Sequence, residues 1–152
     1  MKLAEALIKR AELKTRSEQI RSRISASVKV QEGDEPADDV TELIRDYEDL
    51  AVEMLVLVRK INATNAATIF EAGNSLSDIL AVRENLKLRH KLYVEMIDQS
   101  TIRQARFSRN EVKFRRTVDV KSIRKVADDL ARTYRELDIR IQALNWVTEL
   151  LE

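Results

Sequence analysis

The feature that most constrains this chain is a ladder of apolar positions near its end. Ile123, Ala127, Leu130, Tyr134, Leu137, Ile141, Leu144, Thr148 and Leu151 follow one another by four and three residues. That step keeps one seam of an α-helix turned toward a partner helix, as in a coiled coil. A second ladder runs through Val40, Leu43, Tyr47, Leu50, Met54, Leu57, Ile61 and Thr64. Each stripe is disfavoured by water and must be buried against the other, the rest of the chain or another copy. Leu50, Met54, Leu57, Leu130, Leu137 and Leu144 are the expected core positions, each worth about 1.5–3 kcal/mol if fully buried.

At 152 residues the chain suits one domain with a continuous core, and we read residues 1–152 as a single helical-bundle domain. Two glycines and one proline leave few sites for turns, which favours long helices. The spacing predicts four of them: Leu3 to Val28, Ala37 to Ala63, Leu76 to Ser100, and Val120 to the end. The first seam, with Leu3, Leu7, Leu13, Ile20 and Ile24, is interrupted by Arg10 and Ser17. Gly33 and Pro36 break the chain before the second helix. Gly73 and Asn74 signal a turn before the third, where Ser75 and Asp78 resemble a capping box. The third helix carries Leu76, Ile79, Arg83, Leu86, His90, Tyr93 and Ile97 on its seam.

Between Thr101 and Val118 the period shortens. Val112, Phe114 and Val118 share a parity, with charged or polar residues between them, so a β-hairpin is expected at about 102–118, turning at Ser108-Arg109-Asn110. Asp119 then stands as an N-cap for the last helix. The expected fold is therefore mainly all-α: an antiparallel bundle of about four long helices with a small β-hairpin inserted before the last.

The net charge is +1, so no overall field draws the chain to nucleic acid or an anionic membrane. Locally the charges segregate. Glu32, Asp34, Glu35, Asp38, Asp39, Glu42, Asp46, Glu48 and Asp49 face a single Arg45, while residues 103–125 carry nine cations against Glu111 and Asp119. Complementarity within or between chains accounts for both blocks, as do two solvated faces. There is no cysteine, which removes disulfides, thiolate metal sites and thiol nucleophiles. The opening residues run straight into an amphipathic pattern and no stretch reaches about twenty apolar residues, so the expected compartment is the cytoplasm.

Few residues invite chemistry. His90, the only histidine, has Leu86 and Val94 four residues to either side, so the usual helical partner of a general base or zinc ligand is missing. We read it as structural, hydrogen-bonded across the bundle. The acids around Asp34 lack the spacing of a calcium loop and read as a solvated helix start. Asn62, Thr64, Asn65 and Thr68 can recognise a ligand, or they can fix helix register and close carbonyls at a helix end; the second reading is preferred. The basic run with Phe107 and Phe114 has the composition of a nucleic-acid surface, and equally of a hairpin docked on an acidic neighbour. Trp146, outside the ladder, is either an exposed anchor or a packed residue at the bundle end. No catalytic, cofactor-binding or metal-binding residue is assigned, and no cofactor is expected.

Five segments carry a family resemblance: Met1 to Leu7, Val30 to Pro36, Asn62 to Thr68, Thr117 to Val120, and Leu137 through Trp146. Together they resemble a family of small bacterial proteins, some of which bear the name septicolysin. The resemblance implies a long-helix fold and no settled biochemical role, and it brings no catalytic residues. The leading expectation is a non-enzymatic structural or interaction protein that forms a homo-oligomer through its helix seams. The alternatives are a membrane-active, pore-forming oligomer, as the family name implies, and a nucleic-acid-binding module built on the basic hairpin region. No small-molecule ligand is specified.

Overall fold

A computed structural model describes residues 1–101 and 114–152 of the chain. The described residues form a mainly all-α protein with four helices, α1 (Leu3–Ser27), α2 (Val40–Ala67), α3 (Leu76–Gln99) and α4 (Val120–Val147), and a small antiparallel hairpin. The hairpin pairs β1 (Ile69–Glu71) with β2 (Asn74–Ser75), between α2 and α3. Of the hairpin expected at 102–118, residues 102–113 lie outside the described residues. Residues 114–118 form no strand: Phe114, Arg115, Arg116 and Thr117 are irregular and Val118 is a bend.

Helix boundaries follow local chemistry. Helix α2 starts at Val40 and not at Ala37, because Asp39 is the residue that caps it: one Asp39 carboxylate oxygen accepts from the Thr41 and Glu42 backbone N–H groups at 2.8 and 3.4 Å. Asp119 does the same for α4, accepting from the Lys121 N–H at 3.0 Å and from the Ser122 hydroxyl. The Asn62 to Ala67 segment continues α2, and Thr68 closes it. The Thr68 N–H and hydroxyl both donate to the Thr64 carbonyl, at 2.9 and 2.7 Å. In the hairpin, Ala72 (φ 45°) and Gly73 (φ 83°) both adopt positive φ, as a two-residue turn between twisted strands requires.

The chain divides into two compact units, 1–77 with 142–152, and 78–141. In the first, α1 buries Leu3, Ala6, Leu13, Ile20 and Ser27, and α2 buries Leu43, Leu50, Leu57, Ile61 and Thr64. Both sets contain runs of sevenfold spacing, 6-13-20-27 and 43-50-57-64, which gives each helix a single narrow seam. Two ion pairs show that the helices run antiparallel: Lys9 meets Glu53 at 2.7 Å, and Arg23 meets Asp38 across the loop that joins the helices. That register sets Ala6, Leu13 and Ile20 level with Leu57, Leu50 and Leu43. Arg10, which seemed to interrupt the first seam, is exposed, because small Ala6 and not a residue nearer Arg10 takes the inward position.

In the second unit the buried side chains are Ile79 and Leu86 of α3 and Ile123, Ala127, Leu130 and Ile141 of α4. Arg83 lies between Ile79 and Leu86 on the α3 seam, and its guanidinium donates to Asp138 of α4 at 2.9 Å. Of the six expected core leucines and methionine, Leu50, Leu57 and Leu130 are buried, while Met54, Leu137 and Leu144 are half-buried. A straight helix drifts about 20° for each seven residues. Along Leu130, Leu137 and Leu144 that drift carries the side chain progressively off the inward line, and Asn145 is buried where the ladder placed Leu144.

Three measurements follow from this packing. Ile61→Ala, at a position 1% exposed, lowers unfolding free energy by about 2–5 kcal/mol in urea titration. Gly73→Ala lowers it by about 1–2 kcal/mol through backbone strain alone, since a Cβ there meets nothing within 4 Å. Asp138→Ala, which leaves the partly buried Arg83 cation with only the exposed Glu84 carboxylate at 3.2 Å, destabilises more than Arg83→Met, which removes the charge and keeps an apolar stem.

Candidate interaction surface

Two features of the first unit stand out chemically. The first is where the two ends of the chain meet. Residues 2 and 149 form an antiparallel bridge, with the Leu3 N–H donating to the Thr148 carbonyl at 2.9 Å and the Leu150 N–H to the Met1 carbonyl at 2.8 Å. The Lys2 ammonium contacts the Glu149 carboxylate at 2.6 Å and the Val147 carbonyl at 3.2 Å, which satisfies a carbonyl at the end of α4. The Leu151 N–H donates to the Thr64 hydroxyl at 2.9 Å, and that hydroxyl donates in turn to the Lys60 carbonyl at 2.8 Å. Thr64, 1% exposed, thus ends the α2 seam and holds the last residues of the chain. Of the two readings of the Asn62 to Thr68 cluster, this geometry matches carbonyl closure and register.

The second feature is the outer face of α2. Ile44, Val52, Leu55 and Val56 are 48, 61, 57 and 50% exposed, although α2 already buries Leu43, Leu50, Leu57 and Ile61 on its opposite side. At 100° per residue the exposed set is centred roughly opposite the buried set. Exposed Glu48 and Arg59 lie within it. A helix apolar on two opposite sides has the pattern of one covered on both.

The remaining candidates stay apart. His90 is half-buried on α3, and among the described residues it makes no hydrogen bond to another helix; no group of three or more histidine, aspartate or glutamate side chains there is placed to hold a metal. Trp146 is 55% exposed, beside exposed Val147, which makes it a surface residue of the first unit. Within the acidic block, Asp38 pairs with Arg23 of α1 and Asp39 caps α2. Of the basic run, residues 103–113 lie outside the described residues, and Arg115, Lys121, Arg124 and Lys125 are exposed. Arg116 donates to the Ser100 carbonyl at 2.9 Å. A cavity of about 460 Å³ in the second unit is lined by Met96, Gln99, Ser100, Thr101 and residues 114–118, an apolar wall with two cations and neither a carboxylate nor an imidazole. Among the described residues no helix is long and apolar enough to cross a membrane.

The outer face of α2 was legible as residues but not as a surface. Ile44, Val52, Leu55 and Val56 are off the four-and-three ladder, and a count of apolar residues on the far side of the same helix is the signal that finds them.

Comparison with known proteins places this arrangement. DUF6847, a family of unknown function, matches residues 10–150. The chain belongs to this family. A crystal structure described as that of a functionally unknown conserved protein from Corynebacterium diphtheriae is 45% identical, covers 99% of both chains and superposes with a TM-score of 0.88. No curated protein matches. The family description and that of the solved relative name no activity, so the reading of function rests on the surfaces of this chain.

The paired ends make one pH-dependent prediction. The Glu149 carboxyl is held below the usual carboxylate range by its hydrogen bond from Lys2 and then by the Met1 amine. A carboxyl depressed by folding adds stability above its unfolded value, about 4.3, and loses it as the pH falls through the folded value. Glu149→Gln therefore lowers the thermal midpoint at pH 7, and the gap from the unsubstituted chain closes as the pH is taken below about 4. Calorimetry across that range measures it, and a gap unchanged down to pH 3 contradicts the assignment.

Proposed function

We propose that this member of the DUF6847 family is a non-enzymatic interaction protein that associates with another copy of itself through an exposed face of a long helix. The observation that supports the reading is the double-sided character of α2. Its inner seam is occupied by α1, and its outer apolar stripe is open to water over about half of each side chain. Removing such surface from water yields about 25 cal/mol per Å² of apolar area. Isolated exposed leucines are ordinary on a protein surface, but Ile44, Val52, Leu55 and Val56 gather on one side of one helix, with Glu48 between the first two.

The stripe sits on a supported scaffold. The α1–α2 seam, the cap at Asp39 and the pinned end at Thr64 hold α2 along its length, so association with a second chain needs little ordering. The reading places function in a surface and assigns no substrate. Light scattering coupled to gel filtration tests it: the expected mass is a multiple of the 17.6 kDa chain, falling toward one chain when Val52 and Leu55 are replaced together by Glu. A mass of one chain at high micromolar concentration removes the proposal.

A further inference from the structure

The outer face of α2 has an internal symmetry that specifies how a second copy would lie on it. A line of six positions along that face is Ile44, Glu48, Val52, Leu55, Arg59 and Ala63, with spacing four, four, three, four, four, and exposed Arg45 and Asn62 lie at its edges. The sequence of steps reads the same in both directions about a point midway between Glu53 and Met54. Two such helices laid antiparallel, with that point on a two-fold axis, bring each residue opposite the one whose number completes 107. Ile44 then faces Ala63, Glu48 faces Arg59, and Val52 faces Leu55, each contact occurring twice. Ala51 and Val56 flank the stripe on its two opposite edges. All of these residues are exposed.

We infer that the outer face of α2 is a homodimer interface in which two copies pair antiparallel about this axis, with Glu48 of each chain against Arg59 of the other. The inference rests on the self-association proposed above and fixes its geometry. Charge complementarity is what selects the partner. Glu48 lies in the acidic half of α2 with Glu42, Asp46 and Asp49 against a single Arg45, while Arg59 and Lys60 lie in the other half. Antiparallel pairing sets acidic against basic at both ends of the contact. Parallel pairing sets Glu48 against Glu48 and Arg59 against Arg59, which is repulsive. Neither Glu48 nor Arg59 takes part in an ion pair among the described residues, whereas Glu53, turned toward α1, is already engaged by Lys9. The apolar centre supplies the attraction, and the small Ala51 and Ala63 let the backbones approach. The contact spans the nineteen steps from Ile44 to Ala63, roughly 30 Å at 1.5 Å per residue. This self-complementarity is the property a two-fold interface requires.

The test uses two charge-reversal variants of the full chain, Glu48→Arg and Arg59→Glu, at exposed positions where circular dichroism should show an unchanged fold. Each variant alone sets like charges opposite one another twice and should raise the dimer dissociation constant by about tenfold or more in sedimentation equilibrium. An equimolar mixture of the two should restore association as a heterodimer, because each reversed residue then meets an opposite charge. The double variant should also self-associate within a few-fold of the unsubstituted chain. A second measurement reads the register directly, since the chain has no cysteine. Under mild oxidation, Val52→Cys chains mixed with Leu55→Cys chains should cross-link, and Ile44→Cys chains mixed with Leu55→Cys chains should not. If the unsubstituted chain dimerises but the single reversals dimerise equally well, or the two cysteine mixtures cross-link alike, this pairing is overturned while self-association stands. If the unsubstituted chain is monomeric, both readings fall together.

Discussion

The antiparallel seam between α1 and α2 is the interaction on which the first unit depends. Isolated helices of this kind are marginal in water, so most of their stability comes from covering one face. Here the covered face is narrow, because the inward positions recur every seven residues on both helices: Ala6, Leu13 and Ile20 on one, Leu43, Leu50 and Leu57 on the other. A narrow seam fixes two helices to each other and leaves most of each circumference outside. The Lys9–Glu53 and Arg23–Asp38 pairs lie where side chains are substantially exposed, so they add little energy and serve mainly to select the register. The economy of that seam is the reason α2 retains an outer face at all.

The end of the seam is handled by polar chemistry. A threonine at a buried helical position usually costs stability unless its hydroxyl is satisfied. Thr64 satisfies its hydroxyl twice, by donating to Lys60 within its own helix and by accepting from Leu151 far along the chain. Its carbonyl also accepts from Thr68, so a single residue closes α2 and receives the final segment. The same segment is held from its other side by the bridge between residues 2 and 149. Local helix termination and long-range closure are therefore one network.

The helices were readable in the sequence because their signals are local. Asp119 announces a helix start, and Gly33, Pro36 and Gly73 announce breaks, whereas the spacing misses the cap at Asp39 and begins α2 three residues early, at Ala37. What local patterns missed was set by geometry accumulated over several turns or by partners far away. The ladder in α4 named Leu137 and Leu144, yet the drift of a straight helix against a seven-residue repeat moves them outward and turns Asn145 in. The β-hairpin at Ile69–Ser75 was visible only as a turn, because strands of three and two residues are too short to show alternation. Arg83 interrupted an apolar seam without explanation until Asp138, fifty-five residues later, stood beside it. The Asn62 to Thr68 cluster was placed correctly at a helix end, but no pattern could reveal that Thr64 would bind Leu151. The outer stripe of α2 escaped for a different reason: a ladder is recognised by residues that share one face, and Ile44, Val52, Leu55 and Val56 lie on the opposite one.

That division of labour bears on how a face of this kind attains specificity. Apolar stripes of similar residues can slide past one another by a heptad at little cost in buried area, so burial alone leaves the register open. Along the outer face of α2, shifting the antiparallel pairing by seven residues in one direction sets Glu48 opposite Val52 and Arg59 opposite Thr41. Shifting it in the other direction sets Glu48 opposite Ala66 and Arg59 opposite Leu55. Either slip strips water from a charge without giving it a partner, and that penalty exceeds the small net gain of an exposed ion pair. One acid and one base, eleven residues apart on a helix whose apolar positions are palindromic, are enough to make a single register the favoured one. The same logic operates inside the chain, where Lys9 and Glu53 hold the α1–α2 seam in step. Helix α2 thus carries two faces of similar design, one covered by α1 of its own chain and one for which the proposed pairing would match the charges with a second copy.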